Sequence, residues 1–160
     1  MISLDFEQRT TSQRLNKNIF TLLFKRGLKI LAVQSALRKL FKNFKTGALH
    51  LVIVNDREIA KLNRDYRGKA KPTDVLSFSY IDESNFPGEN LIGEIVISLP
   101  TACKQARDHR KTLTQELQFL FVHGLLHIFG YDHEKPSERK IMFDLQDNIL
   151  GTQMWRKLIE

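Results

Sequence analysis

At 160 residues, with 42% hydrophobic and 27% charged residues, the chain can bury a sizeable core and fits one domain spanning residues 1–160. Its longest apolar runs, Leu49 to Val54 and Phe119 to Val122, are too short to cross a bilayer. No charged-then-apolar leader opens it, and Cys103 alone can form neither an internal disulfide nor a cysteine-built metal site, so a soluble, cytoplasmic protein is expected. The net charge of +7 is segregated: residues 1–50 carry ten Lys and Arg against two acids and residues 51–160 fifteen against sixteen, which points the N-terminal third toward an acidic partner such as a phosphate backbone.

The first dozen residues show no clear pattern, and Asn18 to Phe24 reads equally as a strand or the start of a helix. From Leu28 onward Ile30, Val33, Leu37, Leu40 and Phe44 recur at spacings of three and four, which predicts one helix ended by Gly47, its opposite face showing Arg38, Lys39, Lys42 and Lys45. His50 to Val54 predicts a strand. Asn55 or Asp56 caps a short helix with Ile59, Leu62 and Tyr66 on one face, and Gly68 and Pro72 impose a loop. Asp74 to Tyr80 and Gly93 to Leu99 alternate as strands do, separated by a polar loop, Asp82 to Asn90. Pro100 opens a helix through about His109. Thr114 caps another that runs to about Phe129 with Gly130 as its stop, and Ser137 to Leu150 is a last amphipathic helix before a tail in which Trp155 can dock back. Elements that neither alternate regularly nor segregate predict an α+β fold around a small sheet.

Chemistry concentrates in VHGLLHIFGYDH, Val122 to His133. His123 and His127 lie four apart on a helix, so both imidazoles share a face; Gly130 then ends the helix and lets Tyr131-Asp132 turn His133 back as a third ligand. Three ligands leave one position of a tetrahedral ion open to water, the arrangement of hydrolytic sites, whereas structural zinc is usually closed by four ligands rich in cysteine. An all-imidazole set suits one Zn²⁺ per chain, with nickel or cobalt as substitutes. Gly124 follows His123 where H-E-x-x-H metalloproteases carry their glutamate base, so peptide hydrolysis loses favour. A carboxylate base would come from elsewhere, with Asp132, Glu134 and Glu94 unranked; Asp132 can instead orient a ligand imidazole or, more simply, cap the turn.

A second constellation is NRDYRGKAKPTDVLSF, Asn63 to Phe78, in which Arg67 leaves a helix end toward a loop. An isolated arginine there is most often a surface residue, although a guanidinium can grip a phosphate in bidentate fashion. Thr73 and Asp74 most simply shape the turn into the next strand.

Three stretches, YRGKAKPTDVLSF (Tyr66 to Phe78), GEIVIS (Gly93 to Ser98) and HGLLHIFGYDH (His123 to His133), resemble the YbeY family of rRNA maturation factors in order and spacing, over about residues 49 to 150. The resemblance implies a zincin-like α+β fold, a small mixed four-stranded sheet packed with about five or six helices, and zinc on His123, His127 and His133. It further implies a single-strand-specific endoribonuclease acting in small-subunit rRNA maturation and ribosome quality control, with Arg67 matching the family's arginine near the metal. A small-subunit ribosomal protein and an assembly GTPase are the implied partners. Ser79, Gln146, Asn148 and Glu94 depart from the family's commoner residues, and none is expected to touch a metal ligand.

The resulting expectation is a metal-dependent ribonuclease with catalytic roles for His127 and Arg67, and with Arg38, Lys39 and Lys42 helping to hold RNA. The alternative is a non-catalytic ribosome-assembly factor that binds RNA or protein through its basic helix around a structural metal.

Overall fold

The computed structural model describes residues 2–43, 46–81 and 90–151, and their side chains apart from those of Lys39, Lys42 and Asn43. The elements run β1 (Ile2–Gln8), α1 (Asn18–Ala32), a 3-10 turn (Ser35–Leu37), α2 (Arg38–Asn43), β2 (Gly47–Val54), α3 (Asp56–Arg67), β3 (Val75–Ser79), β4 (Leu91–Ser98), α4 (Leu99–Asp108), α5 (Leu113–Ile128) and α6 (Pro136–Leu150). The expected α+β fold is present: a mixed four-stranded sheet in the order β1-β2-β4-β3, with β1, β2 and β4 parallel and β3 antiparallel along one edge.

Strand alternation divides the core between two faces. Leu49, Leu51 and Ile53 of β2 and Ile95 and Ile97 of β4 join Phe20, Leu31, Phe121, Leu125 and Ile149 from α1, α5 and α6. Val52, Val54, Leu76 and Val96 point the other way, toward Ile59 of α3. Helix α5 is central to the first face and buries Leu117, Leu120, Phe121, Val122, Leu125, Leu126 and Ile128. It is apolar nearly all round, as a helix enclosed by neighbours must be.

Several boundaries differ from expectation. The undecided N-terminus forms β1, paired with β2 through Ile2↔Gly47 to Gln8↔Ile53, and Asn18 to Phe24 is helical. The helix expected from Leu28 to Gly47 is broken: Gln34 is extended and its side-chain amide donates to the Ile30 carbonyl, satisfying the end of α1. Val33, assigned to the apolar stripe, is 67% exposed for that reason, and Gly47 opens β2 rather than ending a helix. Thr112, not Thr114, caps α5. Its hydroxyl accepts from Gln115 N–H at 3.1 Å while the Gln115 side chain accepts from Thr112 N–H at 2.9 Å, a reciprocal capping box. Phe44, Lys45, Trp155 and the loop from Asp82 to Glu89 lie outside the described residues.

Candidate metal centre

Helix α5 carries His123 and His127 on its one half-buried edge. Their Nε2 atoms face each other at 3.1 Å, where two neutral rings can direct lone pairs at one point. The helix then stops in a Schellman motif: Gly130, at φ +86°, gives its N–H to the His127 carbonyl at 3.0 Å, and Tyr131 N–H reaches the Leu126 carbonyl at 3.0 Å. That reversal returns His133, so that one ligand atom from each of His123, His127 and His133 lies within 4.8 Å of the others. Among the described residues this is the one His/Cys/Asp/Glu group able to hold a metal ion.

The surroundings keep the two imidazoles of α5 neutral. Burial pushes His123 down to about 4, reinforced by the adjacent His127. His127 is also lowered, first by burial, then by the charge of His133 and, more weakly, Arg67, against an opposing pull from Asp132. Neutral imidazole is the metal-binding form, so the donor set fits a divalent ion of the zinc type. The other nitrogen of His123, Nδ1, faces Gln146 Oε1 of α6 at 3.3 Å; with Nδ1–H donating there, Nε2 is left as the free donor atom. Phe119 stacks on His123 with ring centroids 6.1 Å apart and Phe143 on His133 at 6.3 Å, fixing both ring planes.

Gln146 corrects an expectation, since a residue counted as remote from the ligands sits against His123. Its signal was available in the sequence: within the buried α6 stripe of Met142, Leu145 and Ile149 it is the polar member. Asp74 is a second contributor that sequence reasoning assigned only to turn-making. Its carboxylate does cap the turn, accepting from Val75 N–H at 2.7 Å and from the Thr73 hydroxyl at 3.2 Å. It also exerts a charge effect on His123 and accepts from Gln105 Nε2 at 3.1 Å.

The carboxylates proposed as bases separate clearly. Glu94 lies on the opposite sheet face, because Ile95, its neighbour, is the residue that packs on Gly124 of α5; Glu94 instead accepts from His50 Nδ1 at 3.0 Å. Glu134 is exposed. Asp132 takes the simpler role of the two weighed for it, accepting from His133 N–H at 2.7 Å, and that bond holds its carboxyl below the usual range. Gly124 shows why no glutamate stands after His123: a Cβ there would meet Ile95 Cγ2 at 3.0 Å and Ser77 Oγ at 3.2 Å. The position faces the sheet and not the site.

Arg67 ends α3 just before Gly68, whose φ of +68° closes the helix. Buried Asn63 pins the following loop by donating to the Lys71 carbonyl at 2.8 Å. Arg67 is exposed and lines a cleft of about 340 Å³ with Lys69, Lys71, Thr73, Asp74 and Gln105. Arg38 is exposed at the start of α2, whereas the side chains of Lys39 and Lys42 lie outside the described ones. Cys103 is half-buried and free. Among the described residues, no helix is long and apolar enough to cross a membrane.

The chain is similar to known proteins of one family. A family model described as Endoribonuclease YbeY matches residues 5–153, so the match takes in the second half of β1 and all of α1 and α2, beyond the stretch from about residue 49 that the sequence motifs cover. A curated Endoribonuclease YbeY from Brevibacillus brevis is 46% identical over 118 residues, 65% of this chain and 73% of that protein. Another, from Syntrophomonas wolfei, is 40% identical over 128 residues, 76% and 82% of the two chains. The solution structure of TM1509 from Thermotoga maritima matches with a TM-score of 0.57 and 25% identity, over 97% of this chain and 91% of that one.

Proposed function

Because the chain belongs to the endoribonuclease YbeY family, we propose that it is a metal-dependent endoribonuclease that cuts single-stranded RNA during small-subunit rRNA maturation, with His123, His127 and His133 as the ligands of one Zn²⁺. The observation that carries the reading is the convergence of three imidazoles, two of them held neutral, with no fourth ligand among the described residues. A divalent ion held there supplies Lewis acidity toward water and phosphoryl oxygen.

The protein's own residues do the rest. Gln146 fixes the tautomer of His123, the Schellman turn places His133, and Phe119 and Phe143 set the ring planes. In this reading Arg67, whose charge bears on His127, neutralises charge gathering on the bound phosphate. The exposed Arg38, with Lys39 and Lys42, adds a sequence-independent attraction for the RNA backbone. The relatives' shared name favours this reading over a non-catalytic assembly factor. Cytoplasmic location and contacts with a small-subunit ribosomal protein and an assembly GTPase belong to the same proposal.

The test is cleavage of a defined single-stranded RNA by wild-type protein and His127→Ala, purified side by side in metal-defined buffer. Cleavage by the wild type alone, stopped by a chelator, is the expected result. Equal cleavage by both proteins would place the activity elsewhere and overturn the proposal.

A further inference from the structure

Two cavities of different chemistry adjoin the residues of the proposed site. One is the cationic cleft of Arg67, Lys69 and Lys71. The other, about 360 Å³, is lined by Ala36, Leu37 and Leu40 from the turn and α2, by Ser79 and Ile81 at the end of β3, and by His127 to Gly130 at the end of α5. His127 is thus at once a proposed metal ligand and part of this cavity's wall. The remaining walls are mostly aliphatic, with Phe129 held in place by stacking on Phe41 at a centroid separation of 5.4 Å.

We infer that this second cavity receives the nucleobase next to the scissile phosphate. The inference rests on the ribonuclease reading, and its reasoning is chemical. Whatever fills a cavity walled by His127 lies against the reacting group, and the one largely apolar surface an RNA strand offers is the face of a base. The cavity lies within the size range of small-ligand pockets, and unpaired bases of single strands are the parts of RNA that proteins draw out and enclose. The polar groups at its edge are few: the Ser79 hydroxyl, which donates to the Ile128 carbonyl at 2.8 Å, keeps an oxygen free to accept. A base is therefore held by shape and apolar contact, and discrimination among bases is weak. The wall that completes the cavity comes from Ala36, Leu37 and Leu40, short aliphatic side chains that leave a flat base room to enter. Double-stranded RNA, whose bases are stacked and paired, cannot fill the slot, which gives the single-strand preference a structural cause.

The experiment is an abasic scan with metal-loaded wild-type protein. A single-stranded RNA oligonucleotide with one preferred cut is made in versions lacking the base at each position in turn, and kcat/KM is measured for each. The expected result is a loss of about ten-fold to a hundred-fold at one position beside the cut and little change elsewhere. Ala36→Trp, at an exposed position on the cavity wall, should slow cleavage of the intact RNA and erase the difference between it and the sensitive abasic version. Cleavage of the intact RNA with a flat scan would overturn the inference while leaving the ribonuclease reading in place. Failure to cut the intact RNA would sink both. A flat scan with an Ala36→Trp protein that melts earlier would assign the cavity to internal packing.

Discussion

Replacing Gln146 with Met separates metal binding from stability, because the two should move in opposite directions. Gln146 is fully buried; its Oε1 faces His123 Nδ1 at 3.3 Å and its Nε2 finds no hydrogen-bond partner among the described residues. An unpaired buried donor costs about 1–3 kcal/mol, and Met fills similar volume without one, so the metal-free protein should hold or gain stability. The same change removes the group that fixes the His123 tautomer. Loss of such an outer partner typically weakens metal affinity by about 10–100-fold, or about 1.4–2.7 kcal/mol. Gln146→Glu should do the reverse, strengthening metal binding through a charged acceptor while burdening the metal-free fold with a buried carboxylate. Zinc affinity is read by competition with a chromophoric chelator and stability by urea unfolding of the chelated protein. Wild-type zinc affinity in Gln146→Met would refute the orienting role, and a large loss of metal-free stability would show that the Gln146 amide is satisfied after all.

Three further outcomes follow from the geometry. Arg67→Ala should lower kcat for RNA on the order of 100-fold while leaving metal stoichiometry at the wild-type value, since the role proposed for the arginine is toward phosphate and not as a metal ligand; an equal loss of metal would mean that it supports the fold of the site. Gly124→Ala gains about 1 kcal/mol of helix propensity but places a Cβ 3.0 Å from Ile95, and overpacking of that kind costs about 1–3 kcal/mol. The variant should therefore unfold at lower urea, and a stabilised protein would show slack between α5 and the sheet. In the metal-free protein His123 is held at about 4 against about 6.5 when unfolded, so the folded state resists protonation. Its contribution is complete above about pH 6.5, falls as pH drops toward 4 and levels off below, about 3 kcal/mol in all. The stability slope between pH 6.5 and 4.5 should shrink in His123→Leu, and an unchanged slope would remove His123 as its source.

What could be read from the chain was whatever local geometry controls. His123 and His127 share a helix face through spacing alone, and Gly130, as a left-handed stop, turns the chain for His133 within three residues. The cap at Asn55 and the close at Gly68 are equally local. A stripe of apolar residues, by contrast, does not reveal a break within it: Ile30 to Leu40 keep helical spacing across Gln34, and only the bond from Gln34 to the Ile30 carbonyl shows where α1 ends.

Other features depend on partners far along the chain. Strand β1 carries a short signal that sequence reasoning missed, the alternation of Ile2, Leu4 and Phe6 with Ser3, Asp5 and Glu7, and the hydrogen bonds that complete it come from β2, about 45 residues away. Strand register decided that Glu94 faces away from the histidines, a matter of parity that a shift of one residue would invert. Gln146 meets His123 across 23 residues because α6 packs on α5, and Arg67 reaches the same edge from a helix on the opposite sheet face. Helix pitch and a glycine stop thus suffice to bring the three histidines of the triad together from the chain alone. Only tertiary packing decided what surrounds the triad, because each of those neighbours is brought in by a different element whose position is set by burial and not by its own residues.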